Sequence, residues 1–228
     1  MEQENRDYEI LDQNDGNYDL SFKIIIIGES GVGKSCLALK GIKNVFQAEY
    51  APTIGFEFMA FNIKIDNVII KMQVWDTCGQ EVYRSLISSF YNNSSLAIMV
   101  YSIDNFNSFH SLEYWINEIK AKANPDINFF LIGNKCDLEE NRQVSREQGQ
   151  EFSDNNNVRL FLETSAKTGL NAQNVFVEAS KLLYEQHLKY KNRVSQPDSF
   201  RDIINRDSND NSPLDDVNYQ RKKKHGCC

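Results

Sequence analysis

The stretch that decides the fold is residues 22–35, "FKIIIIGESGVGKS". Its first half is an apolar run of strand-forming residues interrupted only by Lys23, as in a strand buried on both faces of a parallel sheet. Its second half breaks that pattern with three glycines, a lysine and a serine, and a helical pattern starts at Lys34. Gly28 to Ser35 fits G-x-x-x-x-G-K-[ST] in a strand–loop–helix context, the setting in which this spacing cradles phosphate. The glycines let the backbone turn its N–H groups inward, and the helix N-terminus adds positive potential. Ser30, Gly31, Val32, Gly33, Lys34, Ser35 and Cys36 are the candidate phosphate-binding residues. Lys34 would supply a point charge for the β- and γ-phosphates, and the Ser35 hydroxyl could ligate Mg²⁺.

Working outward, the elements alternate. Residues 56–65 ("FEFMAFNIKI") and 68–75 ("VIIKMQVW") read as strands joined by a turn at Asp66-Asn67. Two buried strands, "LAIMVYSI" and "NFFLIGN", flank a helix with Phe109, Leu112, Trp115, Ile116 and Ile119 at helical spacing. A further strand, "VRLFLE", precedes a last helix from about residue 171 to 190, with Val175, Phe176, Ala179, Leu182 and Leu183 on one face. The expectation is an α/β fold: a single P-loop domain with a mostly parallel six-stranded sheet, one strand antiparallel in a hairpin, and helices on both faces. Ligands of such sheets bind beyond the carboxyl ends of the strands.

The net charge of −7 is uneven. Residues 1–20 carry seven acids and one arginine, whereas residues 189–228 carry nine basic side chains and six acids. A mildly acidic body gives no reason to expect nucleic acid as a partner. No stretch is long and apolar enough for a transmembrane helix, and the N-terminus lacks a signal pattern, so a cytosolic setting is expected. Residues 1–20 are expected to be a disordered acidic extension, 21–190 the folded domain, and 191–228 a flexible polar tail. Among the five cysteines, Cys36 and Cys136 read as small packing residues. The three histidines, His110, His187 and His225, are scattered and suggest no metal cluster.

The base is suggested by "NKCD", residues 134–137, at the end of a strand on the ligand edge. A carboxylate at Asp137 can accept both the ring N–H and the exocyclic amine of guanine, and would face an acceptor on adenine. Unpaired polar groups in a closed pocket discriminate strongly.

Together with "APTIGFEF", "WDTCGQE" and "ETSAK", these motifs fall in the order of the Ras-superfamily small GTPases, and the chain resembles the Rab family over roughly residues 20–190. The resemblance implies that Thr53 ligates Mg²⁺ beside Ser35 and that Asp76 holds the ion through water. It implies that Gly79 donates its N–H to the γ-phosphate and that Gln80 orients the attacking water, so that Lys34, Thr53 and Gln80 form the catalytic set. Phe46 would lean on guanine, Asn134 and Lys135 would brace its pocket, and Ser165, Ala166 and Lys167 would close it. The implied activity is slow GTP hydrolysis to GDP and phosphate by a switch that recruits effectors to membranes in vesicle transport. The alternative is a non-cycling GTP-binding scaffold. Implied partners are an exchange factor, a GTPase-activating protein, a GDP-dissociation inhibitor or escort protein, and effectors at the switch regions. The final "HGCC" resembles the Rab double-cysteine end, which implies geranylgeranyl groups on Cys227 and Cys228 and anchoring at the cytoplasmic face of an intracellular membrane, with a soluble pool. The basic run at 221–224 would add attraction to that surface. Cys78 stands where the family has alanine, Val82 and Tyr83 replace its usual arginine and aromatic, and Phe56 is bulkier than the usual valine.

Overall fold

A computed structural model describes residues 7–12, 16–47, 53, 55–78 and 91–195. Gly79, Gln80, Val82, Tyr83, the basic run at 221–224, Cys227 and Cys228 lie outside the described residues.

The apolar run becomes β2 (Leu20–Ile27), followed after the glycine loop by α1 (Lys34–Lys43). The hairpin is β3 (Phe56–Ile65) and β4 (Val68–Thr77), paired in register from Phe56↔Thr77 to Ile65↔Val68. Asp66 and Asn67 both have positive φ, 49° and 64°, as a two-residue turn matched to strand twist requires. β5 (Leu96–Ser102) and β6 (Asn128–Asn134) are buried at every residue, which is why they read as continuous apolar runs. Between them lie α2 (Phe106–His110) and α3 (Leu112–Lys122), then α4 (Arg146–Asn155), β7 (Leu160–Glu163) and α5 (Ala172–Ser195).

The sheet order is β1-β3-β4-β2-β5-β6-β7, where β1 is Tyr8–Leu11. It therefore has seven strands and not the expected six, and β3 alone runs against the others. The added strand comes from the extension expected to be disordered. Four residues are too few to show an alternating pattern in isolation. Tyr8–Leu11 is ordered by the free edge of β3, where Tyr8 pairs with Ile65 and Leu11 with Asn62. α5 also runs five residues beyond the expected end at 190.

Two apolar clusters cover the sheet. One joins α1 and α5 to the inner rows of β3, β4 and β2, and includes Leu37, Phe61, Ile63, Ile70, Val175 and Phe176. The other packs Leu112, Trp115, Ile116 and Ile119 of α3 on β5 and β6. Burying each such side chain contributes roughly 1.5–3 kcal/mol. α4, absent from the sequence reading, starts with a capping box: the Ser145 Oγ accepts from the Gln148 N–H, and the Gln148 side chain accepts from the Ser145 N–H. Because six strands run the same way, the loops after Ile27, Thr77, Ser102, Asn134 and Glu163 all emerge along one edge.

Candidate functional site

At that edge the glycine loop is shaped by close approach. Gly28 has φ 141°, and a Cβ there would lie 2.1 Å from the Val100 carbonyl oxygen. Gly33 has φ 90°, and a Cβ would fall 2.6 Å from Asn134 Nδ2. Gly33 is also the N-cap of α1 without a side-chain cap, and the first turn holds no acid. The helix N-terminus therefore presents its N–H groups and its positive end to the loop.

Lys34 is 5% exposed, and its Nζ donates to the Gly28 and Glu29 carbonyls at 2.9 and 2.8 Å. Burial pulls its pKa down to about 8, against the charge of Asp76. An anion in the loop would hold it fully protonated. The ammonium thus sits under the loop, held by two carbonyls that orient it without neutralising it.

Asp76, 0% exposed near the end of β4, accepts a hydrogen bond from Ser35 Oγ through Oδ2, while its Oδ1 is buried without a hydrogen-bond partner. Ser35 Oγ also lies 2.7 Å from Thr53 Oγ1. The Ser35 hydroxyl thus links the Thr53 hydroxyl to a buried carboxylate that keeps one orphaned oxygen. This donor set fits Mg²⁺, which takes one or two carboxylate or hydroxyl ligands and fills its shell with water and phosphate oxygens. Ser35, Thr53 and Asp76 are the residues that would hold the ion, which would supply positive charge to neutralise phosphate. Among the described residues no group of three His, Cys, Asp or Glu forms another candidate metal site.

Burial raises the Asp76 pKa to about 6, opposed by the Ser35 hydrogen bond and the Lys34 charge. A divalent ion needs the carboxylate, so the proton and the metal compete. Mg²⁺-dependent retention of nucleotide should weaken as pH falls through about 6, approaching ~10-fold per pH unit below it. Nucleotide-release rates across a Mg²⁺ titration at pH 5 to 8 test this, and Asp76→Asn should bind Mg²⁺ weakly with no such pH step.

The second half of the site is built on Asn134, 1% exposed at the end of β6. Its Nδ2 donates to the Val32 carbonyl at 2.8 Å and its Oδ1 accepts from Thr164 Oγ1 at 3.1 Å and the Ala166 N–H at 3.4 Å. One amide thus ties the phosphate loop to the 164–166 loop. Lys135 takes the left-handed backbone conformation (φ 63°), and the Cys136 N–H donates to the Thr164 carbonyl. Ser165 Oγ donates to Asp137 Oδ1 at 2.5 Å and accepts from the Thr168 N–H at 3.0 Å, so the exposed carboxylate is aimed by a buried hydroxyl. Lys167 is exposed, and Phe46 is 37% exposed.

The structure therefore brings together Lys34, Ser35, Thr53 and Asp76 in one cluster, and Asn134, Asp137, Ser165 and Ala166 in a second that shares the glycine loop. Thr164 was missed as a support residue; its place inside "ETSAK" was the available signal. Cys36 and Cys136 are partly exposed, and Cys78 is buried in the α3-side core.

A glycine loop on a buried lysine, a hydroxyl–carboxylate cluster and an aimed acid on an adjacent loop define a P-loop nucleotide-binding protein. The Ras family model matches residues 23–185. The chain is 41% identical over 172 residues to "Ras-related protein SEC4" of Candida albicans, covering 75% of this chain and 81% of that protein. It is 40% identical over 159 residues to "Ras-related protein Rab-8A" of Gallus gallus, covering 70% and 76%. The chain belongs to the Ras family, as a small GTPase of the Rab group.

Proposed function

We propose that this protein is a GTP-dependent timer: it binds GTP with Mg²⁺, hydrolyses it slowly, and recruits effectors only before hydrolysis. The observation that carries this reading is the joining of a phosphate cluster and a base-reading acid through Asn134 on one sheet edge. Lys34 and the α1 N–H groups stabilise charge developing on the transferred phosphoryl group, Ser35 and Thr53 position the ion, and Gln80 orients water. A partner's catalytic group would add ~10³–10⁵ in rate.

Thr53 supplies the switch: its hydroxyl lies 2.7 Å from Ser35 Oγ, where it would help hold the ion only while a γ-phosphate is present. We place the protein at the cytoplasmic face of an intracellular membrane in vesicle transport, held by lipids on Cys227 and Cys228, with exchange, activating and escort proteins acting on the switch regions. No helix among the described residues is long and apolar enough to cross a membrane.

The test is single-turnover hydrolysis of bound GTP with Mg²⁺, wild type beside Gln80→Leu. Slow GDP formation that Gln80→Leu reduces at least ~10-fold is expected. Tight GTP retention without turnover in either protein would establish the non-cycling scaffold instead.

A further inference from the structure

The loop that carries Asp137 has almost no apolar anchor. Among residues 135–143 no side chain is buried, and Cys136 is the one partly buried side chain that packs against the core. Hydrophobic burial, which is non-directional in any case, cannot place this loop to the precision that reading a base requires. Its own backbone bonds are internal: the Leu138 N–H donates to the Lys135 carbonyl, Asn141 to Leu138, and Arg142 to Glu139. They shape the turn without fixing where it sits. Its first residues are tied to the neighbouring loop by the Cys136 N–H on the Thr164 carbonyl and by Ser165 Oγ on Asp137.

The far end of the loop is placed by Arg142, which uses every N–H of its guanidinium. Nε and Nη2 donate to the two carboxylate oxygens of Glu139 at 2.9 and 2.7 Å. Nη1 and Nη2 donate to the two oxygens of Glu163 at 2.7 and 3.1 Å, and Nη1 also donates to the Val144 carbonyl at 2.8 Å. The Arg142 and Glu163 side chains are 19% and 12% exposed, against 67% for Glu139, so the Glu163 contact is the sheltered one. Glu163 closes β7: it pairs with Gly133 on β6, its carbonyl accepts from Asn171 Nδ2, and Thr164 and Ser165 follow it directly. Arg142 therefore joins the loop that carries Asp137 to the strand end that carries the hydroxyl aiming Asp137. A sheltered ion pair contributes little net stability, because desolvation offsets the attraction. Its geometry is specific, since two forks on one planar cation fix both distance and orientation.

We propose that Arg142 is a positioning residue for the base: by bridging Glu139 to Glu163 it sets the angle at which Asp137 meets guanine. It thereby sets how strongly the pocket separates guanine from purines that lack the exocyclic amine. The inference rests on the base-reading role of Asp137 above. Both carboxylate oxygens must be aligned to accept from the ring N–H and the amine together, and a loop free to swing keeps one bond and loses the other. Lys34, Ser35 and Asp76 are held by the glycine loop and β4, outside this tie, so the effect falls on the base and not on the phosphates.

The test compares GDP with inosine diphosphate, which keeps the ring N–H but has no exocyclic amine, as competitors against a fluorescent GDP on the full chain. Wild type should prefer GDP by ~10–100-fold, the value of one hydrogen bond to a charged group. Arg142→Gln and Glu163→Gln should each cut that preference at least ~5-fold and leave the GTP to GDP affinity ratio unchanged. Arg142→Lys keeps a cation between the two carboxylates, and with it the fold, but lacks the fork and should lose preference as well. The double change Arg142→Gln with Glu163→Gln should be no worse than the worse single change, because both act through one contact. A lower melting temperature with the GDP preference intact would make the bridge purely structural and overturn the inference. Additive losses in the double variant would overturn it too. A wild type that takes both nucleotides equally would remove the base reading of Asp137 itself, and the inference with it.

Discussion

Asp137→Asn should lose guanine nucleotides by ~10³-fold or more and gain xanthosine triphosphate in their place, while remaining indifferent to ATP. The carboxylate offers two acceptor oxygens to the two donors on that edge of guanine. An amide offers one acceptor and one donor, which leaves one guanine N–H facing another N–H. Xanthine carries a carbonyl where guanine carries the exocyclic amine, so the amide restores both bonds. Ser165 Oγ holds the side chain at 2.5 Å, and an amide oxygen can accept that same hydrogen bond, so the geometry should survive the change. Competition of unlabelled nucleotides against a fluorescent GDP reads the outcome. Unchanged guanine affinity would mean that Asp137 does not face the base.

Asn134→Ala should be the most damaging single change to both stability and nucleotide retention. The side chain is 1% exposed and bonds the Val32 carbonyl, the Thr164 hydroxyl and the Ala166 N–H. Truncation leaves buried polar groups without partners at ~1–3 kcal/mol each, and a total near 3 kcal/mol corresponds to a Tm loss of roughly 6–12 °C in a chain of this size. Because the same amide links the phosphate loop to the base loops, GTP and GDP should both dissociate ~100-fold faster. A thermal melt of the nucleotide-free protein separates the two effects. A normal melt with fast release would confine Asn134 to the ligand, and a low melt with normal release would confine it to the fold.

These two residues show how unevenly the site could be read beforehand. Asp137 was legible because its chemistry is its own: a carboxylate at the end of a buried strand matches a specific base edge. The role of Asn134 as a three-way tie depends on Val32 and Ala166, which are 102 and 32 residues away. No local pattern encodes such a contact. The phosphate cluster divides the same way. Lys34 and Ser35 belong to a contiguous motif whose spacing carries the mechanism, whereas the meeting of Ser35, Thr53 and Asp76 requires β2 and β4 to lie side by side. Helix α4 was missed although its Ser145 and Gln148 are a capping box, because its apolar content is too low to display a helical face.

By itself the sequence determined the alternation of buried strands and helices, the hairpin turn at Asp66 and Asn67, the phosphate loop and the family. Each of these is written in neighbouring residues, as an apolar run, a turn pair or a motif of fixed spacing. Only the tertiary structure decided that Tyr8–Leu11 is a strand and that Asn62 is buried with its amide bonded to the Asp12 carbonyl. A four-residue strand has no stability of its own to announce. It exists because β3 offers an unpaired edge, and an edge is a property of the assembled sheet.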